Sequence, residues 1–486
     1  MIARPVGKRR RPGLASHPMN HRILAAALAA SALSVPPLFA QRVAPPPPAT
    51  VDPKVAALRD AAMSDTMAYD IIEGLTTEVG QRLAGTEAEA RARQWAVVKL
   101  KAMGFKNVRI EPYQMPVWVR GEESATILSP FPQTLTLAAL GNSGATPAGG
   151  LTAPVVVFAT YGDLAAAPAG SLTGKIAYVG NAMQPTQDGS SYGQSGPARF
   201  VGPALAASKG AAAIVIRSIG TDHHRFPHTG TTNFPAGVTP IPAAALSVPD
   251  AEQLERIAAR GKPVMMKLVL TPRQTGTHES GNVIAEVPGS DPSAGIVLVG
   301  GHLDSWDLGT GAIDDASGVA ITATAAKRIM DAGRPRRTIR VVWFGAEEVG
   351  GFGGKDYARV HAQERHAIAA ESDFGADRIW RFEVNLPDSA KPVADRLASA
   401  LAPIGITRGT AIGGDGTDIA PTLALGVGAV DLNQSGLQYF DTHHTPDDGI
   451  DRIDRAQLSQ NVAAWTAMLA IVANAPEAIG PVTPRK

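Results

Sequence analysis

The sequence predicts an α/β fold: a mixed, mostly parallel sheet flanked by helices and interrupted by a β-rich module. Three observations carry this. From Asn282 onward, apolar strands at 282–287, 296–299 and 338–344 alternate with a helical stretch at 316–332, the pattern of a parallel α/β layer. Residues 120–271 consist of short strands separated by Gly-, Pro-, Ser- and Thr-rich loops, the texture of a separate β-rich unit. Ahead of it, 53–78 and 87–103 have helical period.

Length and composition agree. At 486 residues the chain exceeds a single core of roughly 250–300 residues. With 44% hydrophobic and 18% charged residues it is an ordinary globular chain. Lys plus Arg (45) nearly cancels Asp plus Glu (44), so there is no footprint for nucleic acid. Cysteine is absent, which excludes disulfides, thiolate nucleophiles and sulfur-bound zinc together. Any metal must sit on His, Asp and Glu, a donor set suited to hydrolysis.

In chain order, Arg22 precedes an apolar run at 23–35, then Pro36-Pro37-Leu38-Phe39-Ala40 and Gln41. This is a signal peptide over 1–40, with Met19 as an alternative start and an uncleaved anchor as the alternative reading. The run is short and Ala-rich for a membrane span. We expect export to the periplasm or medium, without stable membrane insertion. Pro45 to Pro48 lie in an extended spacer over 41–52. The first segment of the α/β domain is then 53–119. In its second helix Ala92, Trp95, Ala96, Leu100 and Met103 recur at helical spacing, and Gly104 ends it. A strand follows at 108–113. The insert, 120–274, carries strands at 154–158, 175–179 and 212–216 and helices at 204–209 and 250–260. The second segment of the α/β domain is 275–480.

The chemistry lies after the predicted strands of that segment, where such sheets gather their functional residues. Gly300-Gly301-His302-Leu303-Asp304 follows one strand, and a two-residue spacing puts His302 and Asp304 on one side of an extended segment. A ligating imidazole needs a partner for its second nitrogen, and Asp304 is placed to be one; a solvated strand-end histidine is the bland alternative. Gly309-Thr310-Gly311-Ala312-Ile313-Asp314-Asp315 leads into a helix. Helix capping explains Asp315 or Ser317 but not the whole loop. Glu347-Glu348 stands between apolar and glycine residues, where two carboxylates repel one another unless one binds metal and the other accepts protons. Asp373 follows an Ala-rich strand, and His443-His444-Thr445-Pro446-Asp447-Asp448 supplies the last histidines. His223, His224 and His228 in the insert lack acidic neighbours and read as loop histidines along the cleft.

The order His-x-Asp, Asp-Asp, Glu-Glu, Asp, His-Thr-x-x-Asp resembles the co-catalytic di-zinc exopeptidases of the leucyl aminopeptidase and glutamate carboxypeptidase type. Gly80-Gln81-Arg82-Leu83-Ala84-Gly85 and Gly414-Asp415-Gly416-Thr417-Asp418-Ile419 extend the likeness. His302-Leu303-Asp304-Ser305-Trp306-Asp307 and the His443-His444 doublet point to the branch of plasma glutamate carboxypeptidases (carboxypeptidase Q). The insert is similar to a protease-associated domain. The resemblance implies two zinc ions per chain: Asp314 bridging, His302 and Asp373 on one, Glu348 and His444 on the other. It implies Glu347 as general base, Asp304 orienting His302, and a cis peptide between Asp314 and Asp315. His444, not His443, fits the family's His-Thr-x-x-Asp pattern. The activity implied is hydrolysis of dipeptides or short peptides by a water that the metals acidify and Glu347 deprotonates. The alternatives are a broader aminopeptidase, a single-zinc glutaminyl cyclase-like transferase and an inactive receptor-like scaffold. A homodimer is a family expectation.

Overall fold

The β-branched runs pair as their composition suggests. In the computed structural model, which describes residues 51–484, the first sheet has eight strands. Their order is Lys106–Val119, Arg273–Val287, Thr338–Phe344, Ile296–His302, His366–Glu371, Gly428–Gln434, Ile379–Asn385 and Thr407–Ile412. The four central strands, from Thr338–Phe344 to Gly428–Gln434, run parallel. Antiparallel neighbours on each side make the sheet mixed. The helices Ser317–Ala332 and Arg455–Val472 pack together against it, with Trp465 of the second fully buried. The expected signal (1–40) and nearly all of the spacer lie outside the described residues. Among the described residues no helix is long and apolar enough to cross a membrane.

Residues 123–270 form a second eight-stranded sheet with its own core, including Ile127, Tyr178, Val215 and Leu268. The strands on either side of it in sequence, Lys106–Val119 and Arg273–Val287, pair antiparallel. That pairing explains why the first grows well beyond the 108–113 read from its β-branched run: its partner lies past the whole insert. The stretch 53–78 also differs from expectation, breaking into Pro53–Ala62, Met67–Gly74 and a wide turn over Leu75–Val79. The Asp65 carboxylate accepts from Ala68 N at 3.2 Å and so caps the second piece locally.

Because the central strands are parallel, their C-terminal ends emerge at one edge. His302 ends its strand, Gly345 to Glu348 follow Phe344, and Asp373 follows Glu371. This brings three separate motifs to one place.

Away from that edge, His366 is buried and makes both of its hydrogen bonds within the protein: Nδ1 to the Glu364 carbonyl at 3.1 Å and Nε2 to Tyr357 Oη at 2.8 Å. Burial lowers its proton affinity from 6.5 to about 4. Between those values the unfolded chain holds the extra proton, so His366 costs stability as pH falls from 6.5 toward 4, by about 3 kcal/mol in full. His366→Asn is expected to flatten the pH dependence of the urea midpoint across that window. An unchanged slope would show that the ring carries no such load.

Candidate metal centre

Each motif is held by backbone contacts before any metal is considered. The amide of His302 donates to Asp315 Oδ2 at 3.0 Å, and Asp315 Oδ1 accepts from Gly318 N at 2.8 Å. Gly318 is required there, since a Cβ would stand 1.8 Å from the Ser372 carbonyl oxygen. The peptide between Asp314 and Asp315 is cis. Asp448 grips the same turn, accepting from Ile313 N at 2.7 Å and Asp314 N at 3.2 Å. Arg82, fully buried, donates to the carbonyls of Leu303, Thr310 and Gly311 at 2.5, 2.5 and 2.9 Å. One guanidinium thereby ties the His302 loop to the Asp314 loop.

The side chains converge around Asp314. His302 Nε2 lies 2.9 Å from Asp314 Oδ1 and 3.3 Å from Asp373 Oδ1. On the other side, His444 Nε2 lies 3.3 Å from Asp314 Oδ2 and 3.0 Å from Glu348 Oε2. The second nitrogens of both rings face carbonyls: His302 Nδ1 that of Asp304 at 3.0 Å, His444 Nδ1 that of Thr229 at 3.2 Å. A carbonyl only accepts, so Nδ1 of each ring donates to it and Nε2 is left facing carboxylate oxygens; Arg199 Nη1 lies 3.4 Å from His444 Nδ1 and donates to the same Thr229 carbonyl at 3.3 Å. A ring nitrogen 2.9–3.3 Å from carboxylate oxygens needs a cation between them, a proton or a metal ion in its place. Glu348 Oε1, buried, has no hydrogen-bond partner among the described residues. Two imidazoles and three carboxylates without sulfur suit a hard or borderline divalent ion, and three overlapping sets, His302/Asp314/Glu348, His302/Asp315/Asp373 and Asp314/His443/His444, are each close enough to hold one. Asp314 offers one oxygen to each side.

Residues 282–469 match Peptidase family M28. Carboxypeptidase Q of Bos taurus is 35% identical over 412 residues, 84% of this chain and 86% of that protein. The chain belongs to peptidase family M28. A crystal structure of a peptidase M28 precursor from Shewanella amazonensis SB2B shares 49% identity and superimposes with a TM-score of 0.86, covering 89% of this chain and 99% of that one. A zinc aminopeptidase from Bacillus subtilis, 20% identical, covers 87% of this chain and 98% of its own with a TM-score of 0.61, a likeness of fold. Membership of M28 and the buried His and carboxylate donors make the chain a metallopeptidase.

The electrostatics of this M28 site follow from packing anionic groups out of water. Burial pushes the Glu348 carboxyl up to about 7 and raises Asp373. Burial alone would lower His444, but Glu348 and Asp314 outweigh it and carry the ring up to about 9. Protons thus occupy the places a divalent cation would take. His443 stacks on His444 with ring centroids 3.5 Å apart and is driven well below its usual range by burial and by that neighbour. Its Nε2 lies 3.6 Å from Asp314 Oδ2, farther than that of His444.

Glu347 lies beside the donors, facing a cleft of about 680 Å³ whose walls include Tyr192, Phe200 and Thr417. Burial raises its carboxyl well above the ordinary range. Ala346 before it adopts φ +58°, which turns the strand end sharply into the site. Asp304 stands between two motifs. Its backbone carbonyl meets His302 Nδ1, its carboxylate is 3.7 Å from that nitrogen, and Oδ1 accepts from Glu347 N at 3.1 Å. The nearer partner of His302 is therefore the carbonyl, and the Asp304 side chain anchors the Glu347 backbone.

Several neighbours of the centre carried little or no signal in the sequence. Asp448 and Arg82 fall inside motifs that the resemblance includes, yet their roles as backbone anchors appear only in three dimensions. Thr229 had no signal at all, being a hydroxyl residue in a loop of the insert. The histidines of the insert need correction as a group. His223 and His224 are exposed, at 70% and 55%, whereas His228 is buried against Asp222 and the His443 carbonyl. All three have acidic partners after all: Asp222 for His228, Glu252 at 3.1 Å for His223 and Asp447 at 3.9 Å for His224.

Proposed function

We propose that the chain is an exported di-zinc exopeptidase that hydrolyses dipeptides or short peptides. The observation that carries this is the pair of imidazole Nε2 atoms facing Asp314 from opposite sides, with Glu347 beside the donors and open to the cleft. His302 and Asp373 would hold one zinc and Glu348 and His444 the other, with Asp314 shared. Bound there, the metals would act as Lewis acids on the scissile carbonyl and on the attacking water. Glu347 takes the proton from that water and returns it to the leaving amine, a role suited to a carboxyl whose proton affinity is raised. Asp304 keeps the Glu347 backbone in position. A cleft of about 680 Å³ is of a size that encloses a short peptide. Export rests on the apolar run after Arg22.

The test is zinc per chain together with release of amino acids from a panel of dipeptides and longer peptides. Two zincs with dipeptide turnover is the expected result. One metal with a cyclised product would favour a glutaminyl cyclase-like enzyme, preferential turnover of longer peptides a broader aminopeptidase, and no metal with no turnover a scaffold.

A further inference from the structure

We propose that residues 218–229 of the second-sheet unit are a working part of the metal centre, with His228 the positioning residue for His444. The proposal rests on the metallopeptidase reading above.

His444 adopts φ +61°, a left-handed conformation that is unfavourable for a residue carrying a Cβ. Something must hold it there. Two successive carbonyls of this segment are pinned by donors from the other sheet. His228 Nδ1 donates to the His443 carbonyl at 2.7 Å, and Thr229 N donates to the His444 carbonyl at 3.1 Å. Thr221 adds ties just upstream, from its N to the Phe440 carbonyl at 3.1 Å and from Oγ1 to Asp441 Oδ1 at 2.7 Å. In return the Thr229 carbonyl accepts from His444 Nδ1 at 3.2 Å. That bond, nearer than the 3.4 Å from the same nitrogen to Arg199 Nη1, leaves Nε2 facing Asp314 and Glu348. A ligating histidine needs such an acceptor, and this one is 215 residues away in sequence.

His228 is itself firmly seated. Its Nε2 lies 2.6 Å from Asp222 Oδ1, and its backbone N donates to Ser218 Oγ at 2.8 Å. Gly220 makes room for the ring: a Cβ there would stand 2.1 Å from His228 Nε2. A histidine serving only the packing of its own unit would need two satisfied nitrogens. It would not need to reach out of that unit to the carbonyl preceding a metal-donor residue.

The test compares His228→Leu, which keeps bulk and loses both ring hydrogen bonds, with His228→Asn, whose amide can still donate where Nδ1 does. Zinc affinity of the full chain is read by chelator competition, the coordination geometry by the absorption bands of the cobalt-substituted protein, and the fold by melting of the metal-free chain. His228→Leu is expected to weaken one of the two zincs by about 10–100-fold and to alter the cobalt bands. His228→Asn is expected to restore most of that affinity. Wild-type affinity for both zincs in His228→Leu would overturn the proposal. So would equal losses in both variants that track the melting of the metal-free chain, the signature of a purely structural ring. If His228→Leu does not fold, Gly220→Ala presses on the same ring and is read in the same way. A wild-type chain that takes up no zinc would overturn the di-zinc reading and this proposal together; normal uptake in wild type and variants alike overturns this proposal alone.

Discussion

Glu347→Gln is expected to lower turnover on a dipeptide by about 10²–10⁴-fold while leaving zinc per chain unchanged. The side chain is well placed for such a separation. It lines the cleft but makes none of the close contacts that join His302 to Asp314 and Asp373 or His444 to Asp314 and Glu348. Glutamine preserves its size and removes its ability to accept and return a proton. Burial holds the native carboxyl well above its ordinary range, which strengthens it as a base when ionised. The backbone beneath it is anchored by Asp304 and does not depend on the side chain. The loss should therefore appear in kcat, with KM little changed. Retained turnover, or a loss of zinc in parallel, would remove Glu347 from the role of base.

Asp314→Ala has the opposite signature, in which metal is lost first and activity follows. Asp314 presents one oxygen to each imidazole, at 2.9 Å from His302 and 3.3 Å from His444. Its removal withdraws a donor from both sides at once. Changing an outer partner of a metal ligand typically costs 10–100-fold in affinity, so losing a shared ligand is expected to weaken both zincs by at least about 100-fold. Zinc titration with chelator competition measures this directly. The turn itself should survive, because Asp448 and Arg82 hold it through backbone atoms. A variant that keeps one zinc at wild-type affinity would show that the two positions do not share this carboxylate. The two substitutions together separate a proton-transfer residue from a metal-holding one within a single cluster.

Much of the site was legible in the sequence because its chemistry is carried by residue type and local position. Without cysteine, only His, Asp and Glu could supply donors. The strand–helix alternation after Asn282 set the parallel sheet, and parallel strands put His302, the Glu347-Glu348 pair and Asp373 at one edge. Those features are local or periodic, so a single chain displays them.

What the tertiary structure decided are the partners that local order does not encode. Whether His302 is oriented by the Asp304 carboxylate or by its carbonyl depends on a difference between 3.7 and 3.0 Å. The full length of Lys106–Val119 depends on a partner strand beyond the insert. The orientation of His444 depends on Thr229, and the seating of its segment on His228, both in a unit whose sequence showed no catalytic cluster. A backbone carbonyl has the same chemistry in every residue. Which one accepts the proton of a ligating ring is therefore set by the fold, while the identity of the ring is set by the sequence.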